Sequence, residues 1–510
     1  MAASSRSSVW PDLSAKLVAR MLSAHAGIGV VLGALLYIVS LSGVLVVFHA
    51  EFARWEQPHI TETSAASPEL AARAAQTLLD HASAAGETPD RISVFLPTPD
   101  SPRLAGGDGD TYWFIDESAA LGETIDHGFS EFLIDLHYYL HLPSTLGLIV
   151  VGLLGVMMLA LVVSGFLAHP RVFRDAFRSH KPGNGQLSLA DRHNRLSVWG
   201  APFHIMIPLT GAALGLATLF ALTLAQTQPG MNVNEMFDTV FGPGAEESAE
   251  AGPLPDIAQA LRVVETDFAD AGLTPWIVQI ENPGQDGQTL QILTAANQRL
   301  IFGEYLQFSP DGAFIGKTGL DDGAFGQQAT ASVYNLHFGN WGGVPVKLIY
   351  VALGLALCVV CVSGVQLWLY KRARKKGPQP RLERSWIALV WGPPALIGLV
   401  LTLDRVLGLG DAAMPAVFWI GLLIITGLSM FAPSTATLSR GLKLSGAALI
   451  LIGAGAHFLA YGVSGYQSPA AWGVFAGLMI SALALGVNAL TASTPLRAPK
   501  PAPADPQVQA

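Results

Sequence analysis

The sequence predicts a polytopic α-helical membrane protein. A four-helix bundle built by internal duplication carries two small α+β domains outside the membrane, and four additional C-terminal transmembrane helices follow it. Three observations predict this. Of the 510 residues, 51% are hydrophobic and only 13% charged, and the apolar residues gather into eight runs near the length of about 20 residues that a helix needs to cross a bilayer. Basic segments alternate with acidic ones along the first 385 residues. A histidine set at a fixed distance from a Ser-Gly or Thr-Gly step recurs four times.

Taken in order, residues 1–22 are a leader and 23–49 the first span, whose apolar stretch from Ala26 to Phe48 is too long for a signal peptide and reads as a retained helix. Residues 50–132 form the first external domain, with 15 Asp and Glu against four Arg and no Lys. Residues 133–169 hold the second span and the histidine segment before it, and 170–192 a loop rich in Arg and Lys (Arg171, Arg174, Arg178, Lys181, Arg192). The third span is 193–225. The second external domain is 226–336, with 15 Asp and Glu against three Lys and Arg, and the fourth span is 337–370. Lys371, Arg372, Arg374, Lys375 and Lys376 open the second basic loop, 371–385. Basic loops stay cytoplasmic, so the acidic segments are expected outside and both termini inside. Four apolar runs fill 386–490, near 386–403, 414–431, 444–461 and 471–490, and the Pro/Ala-rich tail 491–510 is expected to be disordered.

Each acidic segment opens with a helical pattern (Pro68 to Ser83, Leu254 to Ala271). Strand candidates follow at Arg91 to Leu96 and Thr111 to Ile115 in the first, and at Trp276 to Ile280, Thr289 to Leu293 and Glu304 to Phe308 in the second. They read as two similar domains. The duplication extends to the spans. His25 precedes Ser42-Gly43 by 17 positions and His193 precedes Thr210-Gly211 by 17, while His137 precedes Ser164-Gly165 by 27 and His337 precedes Ser363-Gly364 by 26. The small residues let helix backbones approach, or leave room for a flat group. Packing alone would not call for a histidine at a fixed distance in each span.

Ionisable groups in membrane spans mark function by default. His25 and His193 start spans one and three at one face, and His137 and His337 precede spans two and four at the other. Two pairs of imidazoles at two depths of one bundle suit two bis-histidine b-type haems. There is no Cys-x-x-Cys-His, so covalent haem attachment is excluded. Cys358 and Cys361, the two cysteines, lie inside one apolar run and are read as small apolar residues. His141, one turn past His137, is an alternate ligand. His204, 11 positions past His193, could line a haem edge or a quinol site, or be a buried hydrogen-bonded residue. His457 is read as structural, and His49 and His169 as interfacial. His59, His81, His127 and His180 carry no signal.

On these residues the sequence resembles the PepSY-associated transmembrane proteins, the iron-regulated inner-membrane group that includes ferric-siderophore reductases. The matching pieces are His25-Ala26-Gly27 with Ser42-Gly43, Leu136-His137 with Ser164-Gly165, Arg192-His193 with Thr210-Gly211, and Leu336-His337-Phe338-Gly339 with Ser363-Gly364-Val365-Gln366-Leu367-Trp368. They cover roughly residues 20–376. The resemblance implies PepSY-like periplasmic domains in a bacterial inner-membrane protein, with electron transfer from an inner haem (His25, His193) to an outer haem (His137, His337). It further implies reduction of a ferric siderophore or other ferric chelate, releasing iron because ferrous iron binds oxygen-rich chelators less tightly. Trp341 with Gly342 and Gly343 would face that substrate.

No Gly-x-Gly-x-x-Gly follows a strand, so the donor is expected to be separate, a membrane quinol or a cytoplasmic reductase. The net charge of −9 gives no footprint for nucleic acid. Two other classes stay open. One is a non-enzymatic sensor or peptidase regulator, against which the paired histidines stand. The other is a metal or siderophore transporter, against which the spans offer no internal Asp, Glu, Lys or Arg.

Overall fold

The computed structural model describes residues 13–169, 171–177, 185–227, 251–296 and 300–491. Arg178, His180 and Lys181 of the first basic loop, the stretch 228–250 and the tail from 492 lie outside them. The helices in chain order are α1 (Ala15–Val46), α2 (His49–Glu56), α3 (Pro68–Ala85), α4 (Gly128–Tyr138), α5 (Ser144–Ala168), α6 (Val172–Ala176), α7 (Gln186–Trp199), α8 (Ala201–Gly215), α9 (Ala217–Thr227), α10 (Ile257–Asp267), α11 (Phe325–Phe338), α12 (Gly343–Lys376), α13 (Pro380–Leu407), α14 (Met414–Ser429), α15 (Thr435–Gly465) and α16 (Pro469–Thr491). Seven described elements are long and apolar enough to cross a membrane: α1, α5, α12, α13, α14 with the 3-10 turn Asp411–Ala413 before it, α15 and α16. An eighth arises if α7 and α8 are one broken span. The chain is a multi-span membrane protein.

The third span corrects the expectation of one helix over 193–225. Its chain enters seven residues earlier, at Gln186, and turns by 68° between α7 and α8. Gly200 sits at the corner and Pro202 begins α8, where a proline without N–H disrupts the preceding turn but starts a helix readily. A second break at Leu216 separates α9. α1 likewise starts earlier than expected, capped by the Ser14 hydroxyl, which accepts from the Leu17 N–H at 3.3 Å.

The two acidic segments do not make two domains. Their strands are β1 (Arg91–Phe95), β2 (Ala105–Gly107), β3 (Tyr112–Ile115), β4 (Leu121–Thr124), β5 (Leu273–Glu281), β6 (Thr289–Ala296), β7 (Gly303–Phe308) and β8 (Phe314–Lys317). They join in one antiparallel sheet, in the order β4-β3-β2-β1-β5-β6-β7-β8. The joint is β1 against β5, with Ile92 opposite Ile280 and Val94 opposite Val278, all four fully buried. Each half alone would expose an apolar edge strand, and pairing the two edges removes both. α3 and α10 share one core on the sheet, through Ala71, Ala74, Leu78, Ile257, Leu261 and Val264. Arg262 reaches across to Glu69 at 2.6 Å.

The C-terminal helices pack on one another through small residues. Gly446 of α15 lies on the backbone of Ala395 in α13, and Thr402 donates to the Leu449 carbonyl at 2.6 Å. They also share a core with the bundle: Trp386, Val390 and Phe418 lie with Leu36, Tyr37, Phe132 and Leu357. The expectation of uncharged spans fails at Lys347. This residue lies in the first turns of α12, is 1% exposed, and binds Glu51 at 2.8 Å and Asp100 at 3.2 Å. A buried ammonium needs such partners, and here they tie the span to α2 and to the loop between β1 and β2.

Candidate functional site

The four repeat histidines come together as two pairs. His25, on α1, and His193, on α7, have ring centroids 6.3 Å apart and planes crossed at 81°. His137 and His337 have centroids 6.1 Å apart and planes at 24°. These last two sit not on spans but on α4 and α11, short helices that follow the strands β4 and β8 directly. Sequence reading missed both helices as separate elements. Along α1 the two pairs are separated by the 18 positions from His25 to Gly43, the residue His137 rests on, which is about 27 Å of helix.

One device holds all four rings. The His25 Nδ1–H donates to the Leu161 carbonyl at 2.9 Å, with the Ser164 hydroxyl at 3.3 Å. The His137 Nδ1–H donates to Val39 O at 2.9 Å, with Ser42 Oγ at 3.4 Å. The His193 Nδ1–H reaches Val360 O at 3.1 Å and Ser363 Oγ at 3.0 Å. His337 does the same at the Ile207 backbone and at Thr210 Oγ1, 3.0 Å away. Each hydroxyl donates its own proton to a carbonyl of its own helix, as Ser42 does to Ile38 at 3.0 Å and Thr210 to Met206 at 2.8 Å. Both partners of each Nδ1 are therefore acceptors, so Nδ1 carries the ring proton and Nε2 keeps its lone pair.

The glycine after each hydroxyl residue makes room for the ring. A Cβ on Gly43 would lie 2.8 Å from His137 Cε1, and on Gly211 2.9 Å from His337 Cε1. On Gly165 it would lie 3.1 Å from His25 Cε1, and on Gly364 3.3 Å from His193 Cε1. The connectivity is crossed. The notch on α1 serves His137 and the notch on α5 serves His25; those on α8 and α12 serve His337 and His193. The regular spacing within each span was visible in the sequence. The exchange of rings between spans was not, because no local pattern records which helix a side chain reaches.

His137 and His337 open on a cavity of about 390 Å³ between α1, α5, α8 and α12. Its lining is apolar apart from a few groups, and Gly43, Gly155, Gly211 and Gly354 flatten its walls. Tyr138, Tyr334 and Phe338 border it, with Tyr334 stacked on Phe338 at 4.2 Å. Trp341 is partly exposed nearby and donates to the Tyr350 hydroxyl at 3.4 Å.

The donor set is one that a metal held between two imidazoles, as in a haem, would use. An imidazole nitrogen bonds a transition metal at about 2.0 Å with its ring centroid about 1.1 Å behind, so one ion held between two imidazoles would want centroids about 6.2 Å apart. Both pairs match that spacing, with the tautomer that ligation requires.

The alternates fall away. The His141 Nε2–H donates to Phe132 O at 2.9 Å, and its Nδ1 accepts from Trp419 Nε1–H at 3.2 Å, so both nitrogens are used and the ring stacks on Phe132. His204 is buried beneath Gly200 and does not line the cavity. The 68° turn before it removes the shared face with His193 that an unbroken helix would give. His457 is structural, bonded to the Tyr466 hydroxyl at 2.7 Å and stacked on Trp55 at 3.9 Å. One acidic group was not foreseen. Glu304, Asp321 and Asp322 bring carboxylates within 4.8 Å of one another. Lys317 already binds Asp321 at 2.9 Å and Asp322 at 2.7 Å, and Glu304 accepts from Thr318 and from the Tyr305 N–H.

The model of the PepSY-associated TM region matches residues 22–371. The chain belongs to this family. A similar protein is the uncharacterized protein PA4219 of Pseudomonas aeruginosa, 29% identical over 266 residues, which are 49% of this chain and 66% of that relative. In this PepSY-associated protein the family match encloses all four notched imidazoles and the whole sheet, and it stops before α13.

Proposed function

We propose that this protein is a membrane electron-transfer protein that holds two b-type haems, one between His25 and His193 and one between His137 and His337. The observation that carries the reading is the fourfold notch. Four part-buried Nδ1 atoms are held as donors, which leaves four Nε2 lone pairs on two pairs of rings whose centroids are 6.3 and 6.1 Å apart. A haem bound there supplies one-electron redox chemistry. The chain's own part is to hold each ring in the ligating tautomer, to raise its basicity through the Nδ1–H bond, and to keep water from the rings with an apolar wall.

We further propose that the protein works in a bacterial inner membrane, with the sheet on the periplasmic side, as a ferric-chelate reductase-type oxidoreductase. Arg171, Arg174, Lys371, Arg372 and Arg374 lie at the end away from the sheet, which supports that orientation. The substrate would be a ferric siderophore or other ferric chelate beside the His137–His337 site. One electron converts its ferric ion to the ferrous form, which the chelator releases. The electron comes from a quinol or a separate cytoplasmic reductase.

The test is a visible spectrum of the detergent-purified protein before and after dithionite. A sharp Soret band, reduced α and β bands and about two haems per chain are expected for bis-imidazole ligation. A colourless protein from haem-replete cells would sink the proposal and leave sensing or transport.

A further inference from the structure

The four C-terminal helices lie outside the family match, yet several of their polar contacts converge on one place. That place is α4, the helix that carries His137. At its N-terminus the buried Glu56 carboxylate accepts from the Phe129 N–H at 2.9 Å, the Ser130 N–H at 2.9 Å and the Ser130 hydroxyl. A carboxylate is the natural cap for a helix start, but Glu56 is 1% exposed and its charge needs a partner. α13 supplies it: Arg405 Nη2–H donates to Glu56 Oε1 at 2.7 Å, and Arg405 Nε–H to Asp404 at 2.7 Å. The Asp411 carboxylate, before α14, closes on Gly128, where no side chain would fit. In the middle, Phe418 of α14 meets Phe132 edge-on at 5.9 Å. Past the C-terminus, Trp419 donates to His141 Nδ1, and His141 in turn donates to Phe132 O. His141 stands in the left-handed region, φ +56°, so this pair fixes the reversal that directly follows His137. α15 braces α2 from behind, with Tyr466 and His457 bonded to each other and packed on Trp55.

α11, the counterpart that carries His337, takes its start from its own half. Gln327 accepts from the Ala324 N–H at 2.9 Å and donates to Thr318 O at 2.8 Å.

We propose that the C-terminal helices are a positioning clamp on α4 that sets the orientation of the His137 ring, with Arg405 and Trp419 as its two polar anchors. Neither touches the ring. Arg405 acts through Glu56 and the start of α4, and Trp419 through His141 and its end. The clamp rests on the haem reading only for its consequence, because the grip on α4 exists in the chain itself.

The experiment compares full-length wild type with Arg405→Met and Trp419→Phe by two readouts. The first is amide hydrogen exchange over residues 128–142, which needs no haem. Each variant is expected to exchange there about ten-fold faster, with 325–338 unchanged. The second is the low-spin ferric resonance spectrum and midpoint potential of the haem-loaded protein. The signal that disappears in His137→Ala is expected to shift in both variants while the other stays fixed, and Glu56→Gln combined with Arg405→Met is expected to restore it. Unchanged exchange over 128–142, or equal shifts of both signals, would overturn the clamp. Absence of haem from wild type would overturn the function proposed above and leave the exchange result to decide the clamp. If Arg405→Met does not assemble, Trp419→Phe, which removes one donor at little cost in volume, carries both readouts.

Discussion

His137 and His337 meet with planes 24° apart, and His25 and His193 with planes 81° apart, although all four rings hang from the same carbonyl-and-hydroxyl notch. The chain settings differ. The first pair rides on α4 and α11, near the C-terminal ends of helices that follow the sheet, and the second on α1 and α7, well inside helices that belong to the bundle. The notches differ too, since the glycines beside the first pair leave less room than those beside the second. A duplicated motif thus fixes which ring nitrogen is free. The element that carries the ring fixes how the free nitrogens are presented.

The largest test of this comparison is ligand removal. His137→Ala or His337→Ala should each abolish one haem and spare the other, while His25→Ala or His193→Ala should do the reverse, read as haem per chain and as the surviving redox wave. Loss of both haems from any single change would mean that the pairs are not separate sites. Next in size are the notches. Gly43→Ala and Gly211→Ala put a methyl under 3 Å from an imidazole carbon, so they should expel the ring and empty that site. Gly364→Ala, at 3.3 Å, should keep most of its haem, and Gly27→Ala, which meets nothing within 4 Å, should change nothing. Equal loss at Gly43 and Gly364 would show that the two notches are equally tight.

The ring planes come third. In the ferric protein a near-parallel and a near-perpendicular bis-imidazole site should give two distinct low-spin resonance signals, and a single shared signal would contradict the 24° and 81° geometries. The smallest effect is expected from the hydroxyls. Ser363→Ala and Ser42→Ala each leave the carbonyl to hold Nδ1, so haem affinity should fall about ten-fold, the low end for loss of such an outer partner. The stronger response should be at Ser363, whose 3.0 Å bond to His193 is shorter than the 3.4 Å from Ser42 to His137.

Much of the site was legible. The four histidines, the four small-residue steps and their duplicated spacing are local facts of the chain, and the strand candidates fall within β1, β3, β5, β6 and β7 or one residue beyond them. What was illegible has common causes. β2, β4 and β8 are three or four residues long, too short for an alternation to show. α4 and α11 straddle the boundaries expected between external domain and span, at 132/133 and 336/337. The bend at Gly200-Ala201-Pro202 was passed over because the apolar run continues through it.

By itself the sequence determined that the chain spans a membrane, that a histidine and a Ser-Gly or Thr-Gly step recur four times, and which side chains can offer a metal a nitrogen. Composition and periodicity act residue by residue, and solvent reads them the same way in any fold. Only the tertiary structure decided that Ser42 serves His137 and not His25, that two acidic segments close one sheet through Ile92 and Ile280, and that Arg405 answers the charge of Glu56 from 349 positions away. Each of these is a choice of partner between distant segments. The choice is made by which packing leaves no edge strand, no ring nitrogen and no buried charge unanswered.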